Sequence, residues 1–294
     1  MNDFLGIVDL DRGVLERLVE SASRFRHDRS FRSGALAGAR IGLFFEKPST
    51  RTRVSSEVAA VDLGAHPVVL GQSEVGIGSR EAVRDVARVL DRYLDLVAMR
   101  VFDHRVLVEM AEHADAPVVN LLSDIEHPCQ AVADLHTIAE HCDVSDSVVA
   151  YVGDGNNVCH SLMLGVAKLG GRVRVVSPPG FEPMEQMVAG GEGRITVTPD
   201  IEAVDGADVV YTDVWASMGQ EEEASERALA FAGYRVDESL FGRAGPDAIF
   251  LHCLPAHRGE EVTDAVVDHP RSRVFDQAEN RLHSMKAILL ELLG

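Results

Sequence analysis

The sequence has little positive charge, few lysines and no closely spaced cysteine pairs. Only three of its 28 basic residues are lysines, and there are 47 acidic residues, so the formal net charge is −19. Since no basic surface is available to neutralise phosphates, nucleic acids are poor candidate partners. The four cysteines lack CxxC spacing, which argues against a disulfide framework and a tetrahedral zinc site. We therefore expect reduced thiols and no metal ion.

Long apolar runs are also absent. No uninterrupted apolar stretch reaches the roughly 18 residues that a helix needs to cross a bilayer. The first residues, MNDFLGIVDLDRG, contain early acids and no apolar block with a cleavage site. The sequence therefore predicts a cytoplasmic protein with no membrane segment.

The acidic, lysine-poor composition allows two interpretations. One is a compositional bias of the genome. The other is a surface suited to concentrated salt, where charge repulsion is screened over a Debye length of about 3 Å at 1 M. In this second respect the chain resembles the proteins of extreme halophiles.

Short apolar runs alternate with segments of helical period along the whole chain. This pattern is typical of parallel sheets that are covered by helices on both faces. At 294 residues the chain is long enough for two ordinary domains, and the runs fall into two sets. We expect two open, mostly parallel-sheet α/β domains joined by interdomain helices, one of them at 128–141. The predicted strands are 40–45, 67–70, 96–100, 117–121, 147–152, 172–176, 195–197, 208–212 and 248–252, and ligands should bind beyond their carboxyl ends.

The segment FEKPSTRTR, residues 45–53, follows the first predicted strand and leads into a helical pattern. The hydroxyl groups of Ser49, Thr50 and Thr52 and the guanidinium group of Arg51 thus lie at a helix N-terminus. Free backbone N–H groups and the helix dipole favour an anion there. The segment lacks the GxxxxGK[ST] pattern of a nucleotide P-loop. A cap alone would explain one hydroxyl but not two arginines two residues apart, so we predict a phosphate site.

Three further polar residues follow later strands of the first set. Arg100 ends the third predicted strand at the same sheet edge, and His127 and Gln130 flank Pro128 at the start of a helical pattern. Arg100 can clamp an anion or a carbonyl oxygen, and the other two can donate to an oxygen. Taken singly, each also has an ordinary explanation, such as a surface ion pair for the arginine or a polar loop position for the histidine.

Four motifs together resemble the aspartate/ornithine transcarbamoylase family: PSTRTR, MR at 99–100, HPCQ at 127–130 and HCLP at 252–255. They occur in this order over nearly the whole chain. The resemblance implies an enzyme without a cofactor that forms a homotrimer or a multiple of trimers, with active sites between subunits. It also implies a carbamoyl-phosphate-binding domain, residues 1–132, on which the C-terminal helix 277–294 packs, and an ornithine-binding domain, residues 133–276.

The resemblance also implies how carbamoyl phosphate is held. Gln72 belongs to the implied set, although the loop 71–80 is one residue longer than the pattern of the family. The implied carbamoyl phosphate contacts are Ser49, Thr50, Arg51, Thr52, Gln72, Arg100, His127, Gln130, Cys253, Leu254 and Arg281.

The second half of the chain resembles the ornithine-using members of the family. GDGNN at 153–157 follows the fifth predicted strand, but Val158 stands where a dinucleotide fingerprint needs its third glycine. The next strand ends at Ser177 without an acid to hold a ribose, so NAD binding is not supported. Residues 212–221, TDVWASMGQE, carry the rest of this resemblance. The implied contacts with L-ornithine are Asn157, Asp213, Ser217 and Met218.

The implied reaction is transfer of the carbamoyl group from carbamoyl phosphate to the δ-amine of L-ornithine. An aspartate is a suitable partner for a cationic substrate, and the resemblance places Cys253 beside the attacking amine. The implied catalytic residues are Arg51, Arg100, His127 and Cys253. Alternatives are aspartate, putrescine or an acylated ornithine as the acceptor, or a non-catalytic regulatory protein of the same fold.

Overall fold

The computed structural model of the chain describes residues 2–216 and 223–294. The chain forms two compact units, one comprising Met1–His136 and Glu279–Gly294 and the other Thr137–Ala278. It passes from the first unit to the second within the helix α6, Pro128–Ala139, and returns within α12, Val274–Leu293. Each unit has an all-parallel sheet, which confirms the predicted fold class. Among the described residues, no helix is long and apolar enough to cross a membrane.

The first unit has a four-stranded sheet in the order β2-β1-β3-β4. Strands β3 and β4 are buried along their whole length, as expected for parallel strands that are covered on both faces. The strands are β1 (Arg40–Phe45), β2 (His66–Gly71), β3 (Leu96–Arg100) and β4 (Val118–Leu122). Five helices lie wholly in this unit: α1 (Arg12–His27), α2 (Thr50–Asp62), α3 (Gln72–Val75), α4 (Val83–Leu90) and α5 (His104–His113).

The second unit has a five-stranded sheet in the order β7-β6-β5-β8-β9. Its core combines valines of β5 and β8 with apolar side chains of the later helices. The strands are β5 (Val148–Val152), β6 (Arg172–Val176), β7 (Ile195–Thr198), β8 (Val209–Thr212) and β9 (Ile249–His252). The helices are α7 (Asn157–Leu169), α8 (Glu185–Ala189), α9 (Ala224–Ala230), α10 (Glu238–Phe241) and α11 (Asp264–Val267), with a 3-10 turn at Ile201–Val204.

Two helix starts are fixed by capping side chains at the carboxyl ends of strands. Ser49 is the N-cap of α2, and its Oγ accepts the backbone N–H of Thr52 at 3.3 Å. Asn156 is the N-cap of α7, and its Oδ1 accepts the backbone N–H groups of Val158 and Cys159 at 3.0 and 3.1 Å. Because both helices begin right after a strand, the polar residues of their first turns lie at the sheet edges.

The segment 71–80 differs from the loop that the sequence predicts, since it contains the short helix α3. Glu74 closes this turn because its carboxylate accepts the backbone N–H of Gly71 at 2.8 Å. Gly76 ends the helix in the left-handed conformation, with φ of 69°. A helix that is held by local caps can form without a periodic pattern of apolar residues. The hydrophobic pattern of the sequence therefore did not reveal α3.

Candidate active site

The hydroxyl group of Thr52 lies close to two guanidinium groups in the first unit. Arg281 of α12 donates from Nη2 to Thr52 Oγ1 at 3.1 Å, and Arg100 Nη1 lies 3.5 Å from the same oxygen. All three residues are buried. A register shift between Met99 and Arg100 interrupts the pairing of β3 with β4, and irregularities of this kind re-aim side chains. The predicted residues Thr52, Arg100 and Arg281 are thus brought together.

Gln130, at the start of α6, is held in one orientation by two partners. Its Oε1 accepts from Arg281 Nη1 at 2.5 Å, and its Nε2 donates to Asp134 Oδ1 at 2.7 Å. An amide with both ends engaged cannot flip without breaking a charge-assisted hydrogen bond. Gln130 therefore fixes the position of the Arg281 guanidinium beside Thr52.

His127 is buried among positive charges. Burial, followed by the charges of Arg281, Arg100, Lys47 and Arg51, holds the pKa of His127 well below its usual value. The ring is therefore neutral at pH 7, with one nitrogen able to donate and the other to accept. A neutral donor can polarise a carbonyl oxygen without adding another cation to the cluster.

Lys47 belongs to this cluster, although the sequence analysis did not include it among the site residues. Burial, followed by the charge of Arg100, lowers the pKa of Lys47 to about 8. Its Nζ lies 4.4 Å from the ring centroid of Phe102. The sequence signal was available, because Lys47 is one of only three lysines in the chain. Crowded cations of this kind suit a phosphate, whose negative charge relieves their mutual repulsion.

The other predicted phosphate contacts are placed differently. Ser49 uses its hydroxyl as the cap of α2, Thr50 is exposed, and Arg51 is half-buried. Arg53 points to the surface, where it pairs with Glu57 at 2.7 Å. The side chain of Gln72 donates from Nε2 to the carbonyl of Ile77 at 3.0 Å, within its own loop. The place of Gln72 in the phosphate site stays a prediction of the sequence.

Asp213 is the centre of the candidate site in the second unit. It follows β8, and its buried carboxylate accepts from Asn156 Nδ2 at 2.9 Å and from the Cys253 thiol at 3.0 Å. These residues converge because β5, β8 and β9 are neighbours in the sheet and each ends at the same edge. In this arrangement the Cys253 thiol is placed to donate a hydrogen bond to the Asp213 carboxylate.

Asn156 makes the contact with Asp213, whereas its neighbour Asn157 is the residue predicted to bind ornithine. The side-chain oxygen of Asn157 lies 3.1 Å from the backbone N–H of Val158, and the residue is half-buried. The sequence analysis missed Asn156 because its role depends on the neighbouring strand β8. Ser217 and Met218, also predicted contacts, lie outside the described residues.

A buried ion pair lies beside this site. Arg227 of α9 donates from Nη1 to Asp154 Oδ2 and to the carbonyl of Trp215, both at 2.9 Å. Burial raises the pKa of Asp154 to about 6, although Arg227 opposes the shift. The pair joins the loop after β5 to the segment after β8, and no sequence signal marks it.

Two groups of side chains have potential metal-ligand atoms within 4.8 Å of one another, within the part of the chain that the structure describes. In the first, Cys253 donates to Asp213, and both ring nitrogens of His252 have hydrogen-bond partners. In the second, formed by His257, Glu260 and Glu261, one oxygen of Glu261 is already shared by two donors. Both groups are held by internal hydrogen bonds, so neither is assigned to a metal.

Comparisons with known proteins give a consistent result. The profile of the aspartate/ornithine carbamoyltransferase carbamoyl-P binding domain matches residues 2–140, and that of the Asp/Orn binding domain of the same family matches residues 145–292. An ornithine carbamoyltransferase of Methanoculleus marisnigri is 48% identical over 99% of this chain and 97% of its own. An anabolic ornithine carbamoyltransferase of Pyrococcus furiosus is 50% identical over 88% of this chain and 85% of its own. The solved structure of an ornithine carbamoyltransferase from the same organism covers 100% of this chain and 97% of its own, with a TM-score of 0.96 and 45% identity.

Proposed function

The chain belongs to the aspartate/ornithine carbamoyltransferase family, and from this premise we propose that it is an ornithine carbamoyltransferase. The reaction transfers the carbamoyl group of carbamoyl phosphate to the δ-amine of L-ornithine and yields L-citrulline and phosphate, a step of arginine metabolism. The observation that carries the proposal is the presence of a cation-rich cluster around Thr52 in the first unit and an Asp213-centred site in the second.

The first unit is proposed to bind carbamoyl phosphate. This substrate is a mixed anhydride with a good leaving group, so the protein mainly positions it and stabilises developing charge. The N-terminus of α2, with Arg51, holds the phosphate, while Thr52, Arg100 and His127 donate to the carbonyl oxygen. The remaining contacts of the proposed set in this unit are Ser49, Thr50, Gln72, Gln130 and Arg281.

The second unit is proposed to bind L-ornithine. Asn157, Asp213, Ser217 and Met218 hold its amino-acid end, and Cys253 lies beside the δ-amine. The amine must attack in its neutral form, although its reference pKa is about 10.4, so the site has to favour that form. A C–N bond forms, the bond from the carbonyl carbon to the phosphate oxygen breaks, and the departing phosphate is the proposed acceptor of the amine proton. Leu254 offers its carbonyl oxygen as a further hydrogen-bond acceptor.

Substrate choice tests this proposal. Initial rates with ornithine, aspartate and putrescine, each at saturating carbamoyl phosphate, should favour ornithine strongly. Aspartate brings an extra carboxylate towards Asp213, and putrescine lacks the carboxylate that Asn157 is proposed to hold. Asp213→Asn should raise the KM for ornithine about a hundredfold, because a buried cation without its charged partner costs a few kcal/mol.

The control variant is Asp205→Asn, which changes an exposed aspartate of the same unit that pairs with Arg243. It should keep the wild-type KM for ornithine. A preference for aspartate or putrescine, or equal effects of the two variants, would contradict the proposed acceptor. The acylated ornithines are tested in the same assay.

We also propose that the chain forms a homotrimer, or a multiple of trimers, in the cytoplasm. The support for self-association is a stripe of exposed valines on α2 in the first unit, formed by Val54, Val58 and Val61, which are 55%, 40% and 59% exposed. Valines at helical spacing on a surface mark a face that another protein can cover. The cytoplasmic location stays a prediction of the sequence.

A further inference from the structure

Two ionisable side chains that the proposed reaction does not use lie next to the Cys253–Leu254 segment. His252, the last residue of β9, and Glu261 are both completely buried. His252 Nε2 lies 3.2 Å from Glu261 Oε1, and the same oxygen accepts the backbone N–H of His257 at 2.6 Å. A glutamate is almost never fully buried unless it is paired, and here its partner is a fully buried histidine. The role of this buried pair is therefore the question.

The hydrogen bonds of His252 define its tautomer. The backbone N–H of Leu254 donates to His252 Nδ1 at 2.9 Å. A backbone N–H can only donate, so Nδ1 must be the acceptor, and the proton of the neutral ring is then on Nε2. That proton points at Glu261 Oε1. The three groups thus form a directed chain in which Leu254 N–H donates to His252 and His252 donates to Glu261.

Leu254 has a backbone conformation that needs such support. Its φ of 59° lies in the left-handed region, where a residue other than glycine is uncommon and bulky side chains are disfavoured. Residues held in this way cluster at functional sites. Immediately before it, Cys253 donates its thiol hydrogen to Asp213. The conformation of Leu254 therefore decides where the Leu254 carbonyl points, next to the proposed ornithine site.

We propose that His252 and Glu261 are positioning residues for the transfer reaction. Glu261 selects the Nε2–H tautomer of His252, which leaves Nδ1 free to hold the Leu254 N–H. This contact turns the Leu254 carbonyl and the Cys253 thiol towards the attacking amine. The inference rests on the proposed function for the identity of the amine, whereas the hydrogen-bond chain itself does not depend on it.

Two matched substitutions of His252 test the roles of its two ring nitrogens separately. In His252→Asn the amide oxygen takes the place of Nδ1 and can still accept from Leu254, but the side chain is too short to reach Glu261. In His252→Gln the amide reaches the place of Nε2, and no acceptor remains at Nδ1. Both are made together with Glu261→Gln, so that neither leaves a carboxylate without its donor.

A positioning role predicts that the Asn variant keeps kcat within about fivefold of wild type. The Gln variant should lose at least fiftyfold, since a small misplacement at a reacting centre has effects of this size. The KM for carbamoyl phosphate, whose proposed contacts include Cys253 and Leu254, should change less than twofold in the Asn variant and should rise in the Gln variant. Glu261→Gln alone, which keeps an acceptor oxygen, should retain most of kcat, and Glu261→Leu should not. Equal losses in the Asn and Gln variants would overturn the proposal.

Two readouts do not depend on turnover and so separate this inference from the proposed function. In the wild type, ¹⁵N chemical shifts of labelled histidine should report an Nε2–H tautomer for His252, identified as the signal lost in both His252 variants. An Nδ1–H tautomer or an imidazolium at pH 7.5 would overturn the proposal whatever the turnover of the variants. Thiol alkylation of Cys253 in a Cys142→Ser background should be faster in the Gln variant than in the Asn variant, and identical rates would count against it. A wild type that rejects ornithine but shows the predicted tautomer refutes only the function.

Discussion

At the scale of single residues, the phosphate site is set by the position of each arginine relative to α2. Arg51 and Arg53 are two residues apart, yet Arg51 adds its charge to the surroundings of His127 while Arg53 pairs with Glu57 on the surface. Residues two positions apart on a helix do not share a face. The two arginines of one motif therefore have different surroundings.

The prediction that follows compares the two arginines directly. Arg51→Ala should lower kcat/KM for carbamoyl phosphate at least a hundredfold with the fold intact, because a charge-assisted contact with a transferred group contributes several kcal/mol. Arg53→Ala should stay within about threefold of wild type, because an exposed ion pair contributes little. Steady-state kinetics and thermal melting of both variants give the measurement. Similar losses in the two variants would contradict the assignment of Arg51.

The roles of some single residues could be predicted from the sequence, and the roles of others could not. Thr52 and Arg281 were named from local motifs 229 residues apart, and the structure joins their side chains at 3.1 Å. Asn156 was missed because its role depends on a contact with Asp213, which follows another strand. Lys47 was missed although lysine is rare in this chain, because the charges around it come from other strands. Arg227 carries no local signal at all, since its partner Asp154 lies 73 positions earlier in the chain.

At the scale of elements, the strands were predictable and the short helices were not. Runs such as those of β3 and β5 are buried on both faces, so their hydrophobicity is continuous and marks them to within about one residue. The helices α3, α10 and α11 have four residues each, too few to show a helical period. Caps such as Asp237 and Thr263 stabilise the last two, and a capping side chain also occurs in ordinary turns.

The exposed valine stripe of α2 supplies the prediction at this scale. Val58→Glu should shift the assembly towards single chains, because a charge in the middle of an apolar contact is costly to bury. Val89→Glu changes a valine of α4 with similar exposure, 46%, and should leave the assembly unchanged. Sedimentation of both variants and of the wild type measures the mass. A wild-type mass of one chain, 31.9 kDa, would contradict the homotrimer.

At the scale of the whole molecule, the formal charge of −19 is the dominant feature. Self-repulsion among acidic groups destabilises a compact chain, and salt screens it. We predict that the thermal midpoint rises by at least 5 °C between 0.1 and 2 M KCl. A sucrose series of equal osmolality controls for general exclusion from the surface. No rise in KCl, or an equal rise in sucrose, would contradict adaptation to salt and favour a compositional bias of the genome.

The division of the chain has a consequence for its synthesis. The first unit contains Met1–His136 but also Glu279–Gly294, whereas the second unit is one continuous segment. A ribosome therefore delivers every residue of the second unit before the first unit has its last helical segment. Arg281, which donates to both Thr52 and Gln130, emerges after the whole second unit. A chain that stops before Glu279 thus lacks part of the first unit, and a nascent chain cannot carry the contacts of Arg281 with Thr52 and Gln130 before the whole second unit has been synthesised.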